Sequence, residues 1–201
     1  MYKRFGKRCF DLLITLLMAP LVILLLLILY PLVRYRLGAP VFFFQKRPGR
    51  HGKPFYIVKL RSMSNARDAH GELLPDEDRL TPFGDFLRKT SLDELPEFWN
   101  IGKGEMSLVG PRPLRMDYLP LYSAHQNRRH EIRPGLTGWA QVHGRNITTW
   151  PERLNRDVWY VDNMSIVLDL KILCRTLLQV FRKQGISAPN HSTMPPFRGE
   201  R

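Results

Sequence analysis

The chain is poor in cysteine and in acid. Two cysteines, Cys9 and Cys174, occur in 201 residues. One lies in a basic N-terminal segment and one in an apparent amphipathic helix. No ligand spacing links them, which argues against a disulfide framework or a zinc site and fits a reducing, cytosol-facing environment. CxxC and HExxH are missing. So are GxxxxGK[ST] and GxGxxG, and neither a P-loop nor a dinucleotide fold is supported. There is no internal repeat. Acids number 18 against 31 lysines and arginines, a formal net charge of +13. Such an excess favours an anionic partner, whether phospholipid, nucleic acid or a phosphorylated substrate. A generally basic, solvated surface is the plain alternative. The basic residues are scattered and no RNA or DNA module is visible, so nucleic acid is not expected as a partner.

Charge is missing altogether from one stretch. Residues 12 to 33 read "LLITLLMAPLVILLLLILYPLV". Roughly 20 apolar residues suffice for a helix to cross a bilayer core. The run is long for a signal-peptide core, and no small-x-small cleavage site follows it. Lys3, Arg4, Lys7 and Arg8 precede it, and Arg34 and Arg36 follow. Basic flanks tend to stay cytoplasmic, so two basic flanks leave a simple span without a preferred direction. Pro20 sits mid-run and removes a backbone donor. Together these features predict a re-entrant segment that bends near Ala19-Pro20 and returns to the same face, in preference to a straight span. Membrane phospholipid is then a partner.

Three parts are expected: an anchor over 1–38, a catalytic domain over 39–186 and a loose tail over 187–201. Strands are expected at 41–47 and 54–61, with Pro48-Gly49 and Gly52 marking the turn. Residues 64–80 read as a loop or surface helix, 82–90 as a helix. "GPRP" at 110–113 must be irregular. A helix is expected around 114–130, a loop-strand-loop over 133–146, and helices over 151–163 and 168–183. In the last, Leu170, Leu173, Leu177 and Phe181 recur at helical spacing among basic residues. Such a helix suits a membrane surface or ordinary core packing equally. The fold class is α/β (α+β): a small hairpin or sheet, surrounding helices, and the membrane segment. Trp99, Trp139, Trp150 and Trp159 include candidate interfacial anchors, core packing being the reading for most.

Against the basic background, "TSLDELPEFWN" (90–100) sets Asp93 beside Glu94. Two readings stand. Ser91 to Glu94 fits a capping box, with Pro96 tolerated near a first turn. Alternatively, a carboxylate held ionised at a helix start by the dipole and by Arg88 and Lys89 is a competent nucleophile toward phosphorus. It is also a hard oxygen ligand suited to Mg²⁺. Lys59, Arg61, Arg88, Arg112, Arg133 and Arg145 stand in or beside Gly- or Pro-rich loops or at strand ends. Arginine forks suit phosphate oxygens, and together these side chains suggest a diphosphate pocket.

Four stretches in order carry a resemblance: "PVFFFQKRPGRHGKPFYIVKLRSM", "LTPFGDFLRKTSLDELPEFWNIGKGEMSLVGPRP", "RPGLTGWAQVHGRN" and "RDVWYVDNMSIVLDLKI". The chain resembles, over nearly its whole length, the bacterial sugar transferases, the monotopic polyprenyl-phosphate phosphoglycosyl transferases. Its short length and single hydrophobic segment look most like the PglC type. The resemblance implies transfer of a sugar 1-phosphate from a UDP-sugar to undecaprenyl phosphate, releasing UMP, at the bacterial inner membrane with the catalytic domain facing the cytoplasm. It implies that Asp93 attacks the β-phosphorus and forms a covalent phosphosugar intermediate, that Glu94 assists, and that Mg²⁺, held by Asp93 and Glu94, neutralises the diphosphate. Lys59, Arg88, Pro111, Arg112 and Arg145 carry over as substrate or phosphate contacts, Asp157 and Asp169 as supporting acids, and Pro20 as the membrane bend. The PglC-like length favours an N-acetylated amino sugar, with UDP-N,N'-diacetylbacillosamine among the candidates, and hence a first membrane step of glycoprotein or polysaccharide assembly.

Two positions depart from the family pattern. Ala19 stands where a serine commonly precedes the bend proline, and His143 where asparagine is expected. Two other functions compete: a non-catalytic basic membrane adaptor, in which the acidic pair is only a cap, and a membrane-bound UDP-sugar hydrolase.

Overall fold

The computed structural model describes residues 2–144, 148–182 and 196–199. Arg145 and most of the expected tail lie outside these. Helix α1 (Lys7–Leu37) is followed by an antiparallel hairpin, β1 (Phe42–Pro48) and β2 (Pro54–Leu60), in which Phe42 pairs with Leu60 and Pro48 with Pro54. Then come α2 (Asp76–Arg79), α3 (Pro82–Lys89) and α4 (Glu97–Lys103). Strand β3 (Ser107–Val109) pairs in parallel with β4 (Gly135–Thr137). Short helices α5 (Ala124–Asn127) and α6 (Trp139–Val142) lead to the long α7 (Trp150–Asn163) and α8 (Ile166–Arg182). This is the mixed helix and small-sheet architecture expected.

The hairpin and the helices at 82–89, 150–163 and 166–182 fall close to their sequence signals. Thr81 and Thr149 cap their helices by accepting from Gly84 N and Glu152 N, each with proline just inside the start. The expected helix over 114–130 is broken into a 3₁₀ stretch (Met116–Leu121), α5 and another 3₁₀ turn (Arg128–His130). Pro120 lies inside the first piece and cannot donate to an α-helical ladder. Within 133–146, the strand is only three residues long and a turn of helix follows it.

Helix α1 passes through Pro20 and Pro31 without interruption. The expected helix-break-helix is therefore one continuous helical element; a proline removes one ladder bond, and the surrounding turns persist. The helix is long and apolar enough to cross a membrane. Leu16, Leu17 and Leu27 on it are 73%, 66% and 69% exposed. Both of its ends are seated on the same body. At the first, Lys7 pairs with Asp11 (3.2 Å) and Asp169 (2.8 Å), Asp11 Oδ1 accepts from Leu108 N, and Arg8 donates to the carbonyls of Ile101 and Gly102 at the end of α4. At the second, Leu29 and Val33 pack with Val41, Leu60 and Leu87, and Arg61 donates to the carbonyls of Leu37 and Ala39.

A larger cluster joins Phe55, Ile57, Ile101, Met106, Leu108, Val109, Tyr160 and Ile172, and so fixes α4, β3, α7 and α8 against the hairpin. Two close approaches need glycine. A Cβ on Gly84 would fall 1.7 Å from Ser62 O, and one on Gly135 would fall 2.0 Å from Gly110 N.

Candidate active site

The acidic pair sits in a single 3₁₀ turn (Leu92–Glu94) between α3 and α4. Ser91, which opens the turn, adopts φ 55° and makes no side-chain cap. The capping box is thus not formed. A non-glycine residue in the left-handed region marks a turn held by its surroundings, and such turns cluster at functional sites.

Instead of capping, Glu94 turns to two cations. Its Oε1 accepts from Lys59 Nζ at 2.7 Å and from Arg112 Nη2 at 2.6 Å. Burial opposes its ionisation, but the charges of Arg112 and Lys59 outweigh that and hold it well below the usual carboxylate range. Asp93 is 7% exposed, and among the described residues no hydrogen-bond donor engages its carboxylate. Burial first, then the neighbouring Glu94 charge, push its pKa up to about 6 against the pull of Lys59, Arg112 and Arg88. Adjacent in sequence, the two carboxylates are separated in state. One is locked as an anion by two partners, and the other, among the described residues, keeps its lone pairs uncommitted.

A third acid joins them, and pattern reading missed it. Glu97, 1% exposed, lies 3.2 Å from Lys59 Nζ, and burial raises its pKa to about 7. The signal available was its spacing: three residues beyond Glu94, it shares a face once residues 97 to 103 are helical. Lys59 reaches both acids because Asn100 fastens α4 to β2. Its amide donates to Tyr56 O at 2.8 Å and accepts from Val58 N at 3.1 Å.

Arg112 is carried by the irregular loop after β3, where Pro111 O accepts from Gly135 N at 3.0 Å. Its backbone is fixed by Arg129, which donates to Arg112 O at 2.7 Å while pairing with Asp157 at 2.8 Å. Asp157 therefore bears on the site through two links. Asp169 does not. It is placed at the seat of α1, where it accepts from Tyr2 and Tyr160 at 2.5 Å each and pairs with Lys7. Arg88 donates to Ser62 Oγ at 2.9 Å and reaches Asp93 only by its charge. Arg61 and Arg133 are spent on backbone carbonyls, Arg133 on Gly104 O at 2.7 Å. His143 packs under Trp139, ring centroids 3.7 Å apart, and contacts Arg175.

Beyond the cations already paired, the pocket holds a surplus. Burial and the neighbouring Arg112 and Arg115 lower the pKa of Arg47 to about 10. Guanidinium groups that repel one another in a partly buried site are poised for an anion with several oxygens. A hollow of about 550 Å³ lined by Gln45, Lys46, Arg115, Met116 and Asp117 does not reach the acidic pair.

Among the described residues, no group of three acids, histidines or cysteines is arranged for a metal. Asp93 and the second oxygen of Glu94 are a two-carboxylate donor set. That set suits Mg²⁺, which commonly takes one or two protein carboxylates and completes its shell with water and substrate phosphate.

The turn thus sets a carboxylate with no hydrogen-bond donor among the described residues inside an arginine-rich pocket, beside an apolar helix. Residues 2–183 match the family described as bacterial sugar transferase, and the chain belongs to that family. It is 53% identical over 193 residues, 96% of each chain, to a Bacillus subtilis (strain 168) protein named uncharacterized sugar transferase EpsL. It is 40% identical over 199 residues to the UDP-galactose-lipid carrier transferase of Erwinia amylovora. It is 38% identical over 205 residues to the undecaprenyl-phosphate galactose phosphotransferase of Salmonella typhimurium (strain LT2). Each of these two alignments covers 90% of this chain but 42% of the relative, so the chain spans less than half the length of those proteins.

Proposed function

We propose that the chain transfers a sugar 1-phosphate from a UDP-sugar to undecaprenyl phosphate, releasing UMP through a covalent intermediate on Asp93. The observation that carries this reading is the asymmetry of the pair: Glu94 is held by Lys59 and Arg112, whereas the Asp93 carboxylate is buried and unengaged among the described residues. In the first half-reaction an Asp93 oxygen bonds to the β-phosphorus, and the bond from that phosphorus to the bridging oxygen breaks, so that the oxygen leaves with UMP. In the second, a phosphate oxygen of the lipid bonds to the same phosphorus and Asp93 is released. Arg112 and Lys59 place positive charge where the transferring phosphoryl oxygens would lie. Mg²⁺, if held by Asp93 and Glu94, would supply further neutralisation of the diphosphate.

The lipid acceptor and the inner-membrane, cytoplasm-facing location are supported by α1. Its two ends rest on one body, the arrangement a re-entrant anchor requires. The names of the Erwinia and Salmonella relatives make galactose a donor sugar to test beside the N-acetylated amino sugars, bacillosamine included, and a role in polysaccharide or glycoprotein assembly follows from whichever is used.

The test is UMP release by the detergent-solubilised protein with Mg²⁺, a panel of UDP-sugars and undecaprenyl phosphate. Release that depends on the lipid supports the transferase. Equal release without lipid points to a hydrolase, and no release from a folded, lipid-binding protein points to an adaptor. The rate should also depend on pH in a defined direction. Asp93 attacks only when ionised, and its pKa is raised to about 6. So kcat/KM should fall about tenfold per unit below pH 6 and level off above it. A profile that is flat down to pH 5 would remove Asp93 from the role of nucleophile.

A further inference from the structure

Beside Arg112 lies an aromatic cluster that the chemistry above leaves unused. Tyr118, Tyr122 and Trp150 gather there over Leu114 and Leu154. The residue at its centre comes from the far end of the chain. Phe197 is 4% exposed, stacked on Tyr122 at 5.5 Å, and 5.7 Å and 5.4 Å from the rings of Tyr118 and Trp150.

The surroundings of this ring are not those of an ordinary apolar core. Three guanidinium groups stand over its walls: Arg115 over Tyr118 at 5.8 Å, Arg129 over Tyr122 at 5.7 Å and Arg153 over Trp150 at 5.4 Å. His130, 6% exposed and 5.5 Å from the Tyr122 ring, keeps a buried Nε2 with no hydrogen-bond partner. A phenyl ring cannot use the orphan nitrogen. A planar heteroaromatic ligand with a ring N–H can pair with that nitrogen and stack on the same aromatic walls. Arg129 also connects this box to the acidic pair, since it donates to Arg112 O, and Arg112 donates to Glu94.

Of residues 196–199, Phe197 alone is buried. Residues 196–199 have no regular secondary structure. Among the described residues, no backbone hydrogen bond ties them to the body.

Resting on the UDP-sugar reading of the donor, we propose that the Tyr118–Tyr122–Trp150 box seats the base of the nucleotide, and that Phe197 is an internal occupant which must leave before the base can enter. A competitor within the chain lowers apparent affinity by the fraction of time the seat is free.

The experiment uses the full-length protein with UMP as probe. Phe197→Ala should bind UMP about tenfold more tightly and lower KM for the UDP-sugar by a similar factor with kcat held. Unchanged or weaker UMP binding, with a lower melting temperature, would make Phe197 a structural strut and overturn the proposal. A second measurement avoids any folding defect. With 4-fluorophenylalanine at position 197, saturating UMP should move the ¹⁹F resonance to that of a solvent-exposed ring. A resonance that stays in place while UMP is bound overturns the proposal. Lipid-dependent turnover separates the two readings. If turnover stands and the ring does not move, only the plug is lost. If neither UMP binding nor turnover is found, the donor assignment falls with it.

Discussion

Asp93→Asn should abolish lipid-dependent UMP release, by roughly 10⁴-fold or more, as removal of a covalent nucleophile does, and should do so without lowering the melting temperature. The second half of that expectation comes from the cost of the carboxylate itself. In the unfolded chain it titrates near the ordinary aspartate value of 3.8, and burial lifts it to about 6 in the fold. The folded state therefore holds the proton more tightly. Asp93 disfavours folding at any pH above about 6, and the penalty shrinks as pH falls from there toward 3.8. Asparagine has no charge to desolvate, so the variant should melt at the wild-type temperature or above it at pH 7.5. Stability gained where activity is lost is the usual mark of a residue kept for chemistry. Retained turnover would move the covalent step to another residue. A large fall in melting temperature would mean that Asp93 is a structural group after all.

Lys59→Met should act in the opposite sense on stability. Its ammonium is shared by Glu94 at 2.7 Å and Glu97 at 3.2 Å. Burial works against that charge, and the two carboxylates more than restore it. Methionine preserves the stem and removes the cation. Glu94 then keeps Arg112 as its partner, and Glu97 loses the Lys59 cation. Breaking a buried ion pair on one side costs about 3–5 kcal/mol, and the expected fall in melting temperature is on the order of 10 °C. UMP release should drop along with it. Glu97→Gln in the same background should restore part of the stability, because a neutral amide no longer needs the cation, and residues sharing one partner couple strongly. Glu97→Gln alone should be mild, since that carboxyl already titrates at about 7. A Lys59→Met protein that melts like wild type would show that solvent already screens these acids.

The parts of this site that were readable in advance are those carried by short local patterns. Pro48-Gly49 announced the hairpin, and the acid pair stood out against a basic chain. What escaped depends on contacts between distant segments. Ser91-Leu-Asp-Glu94 satisfies a capping box on paper. Folding β2 beside it supplies Lys59, a stronger partner for Glu94 than a backbone amide, and the cap is abandoned. Glu97 was unremarkable until the Asn100 amide fastened α4 to the strand that carries Lys59. Asp169 was grouped with Asp157 as a supporting acid, yet only Asp157 lies on a chain of contacts to Arg112. The other is drawn away by Tyr2 and Lys7, which no spacing rule connects to it. The three-residue pairing of β3 with β4 is too short for any periodicity to register.

The seat of α1 has a consequence for how the chain is made. Tyr2 and Asp169, hydrogen-bonded in the finished molecule, are 167 residues apart. A ribosome therefore delivers the apolar helix long before it delivers the clamp for the helix's basic head. Until Ile101, Leu108 and Asp169 emerge, Lys7 has only its neighbour Asp11 among its final carboxylate partners, and Arg8 has neither of its carbonyls. Anionic headgroups are the counter-charge at hand in that interval. On the membrane-anchored reading proposed above, lipid would hold the nascent head first and the protein would take it over last, when synthesis reaches α8.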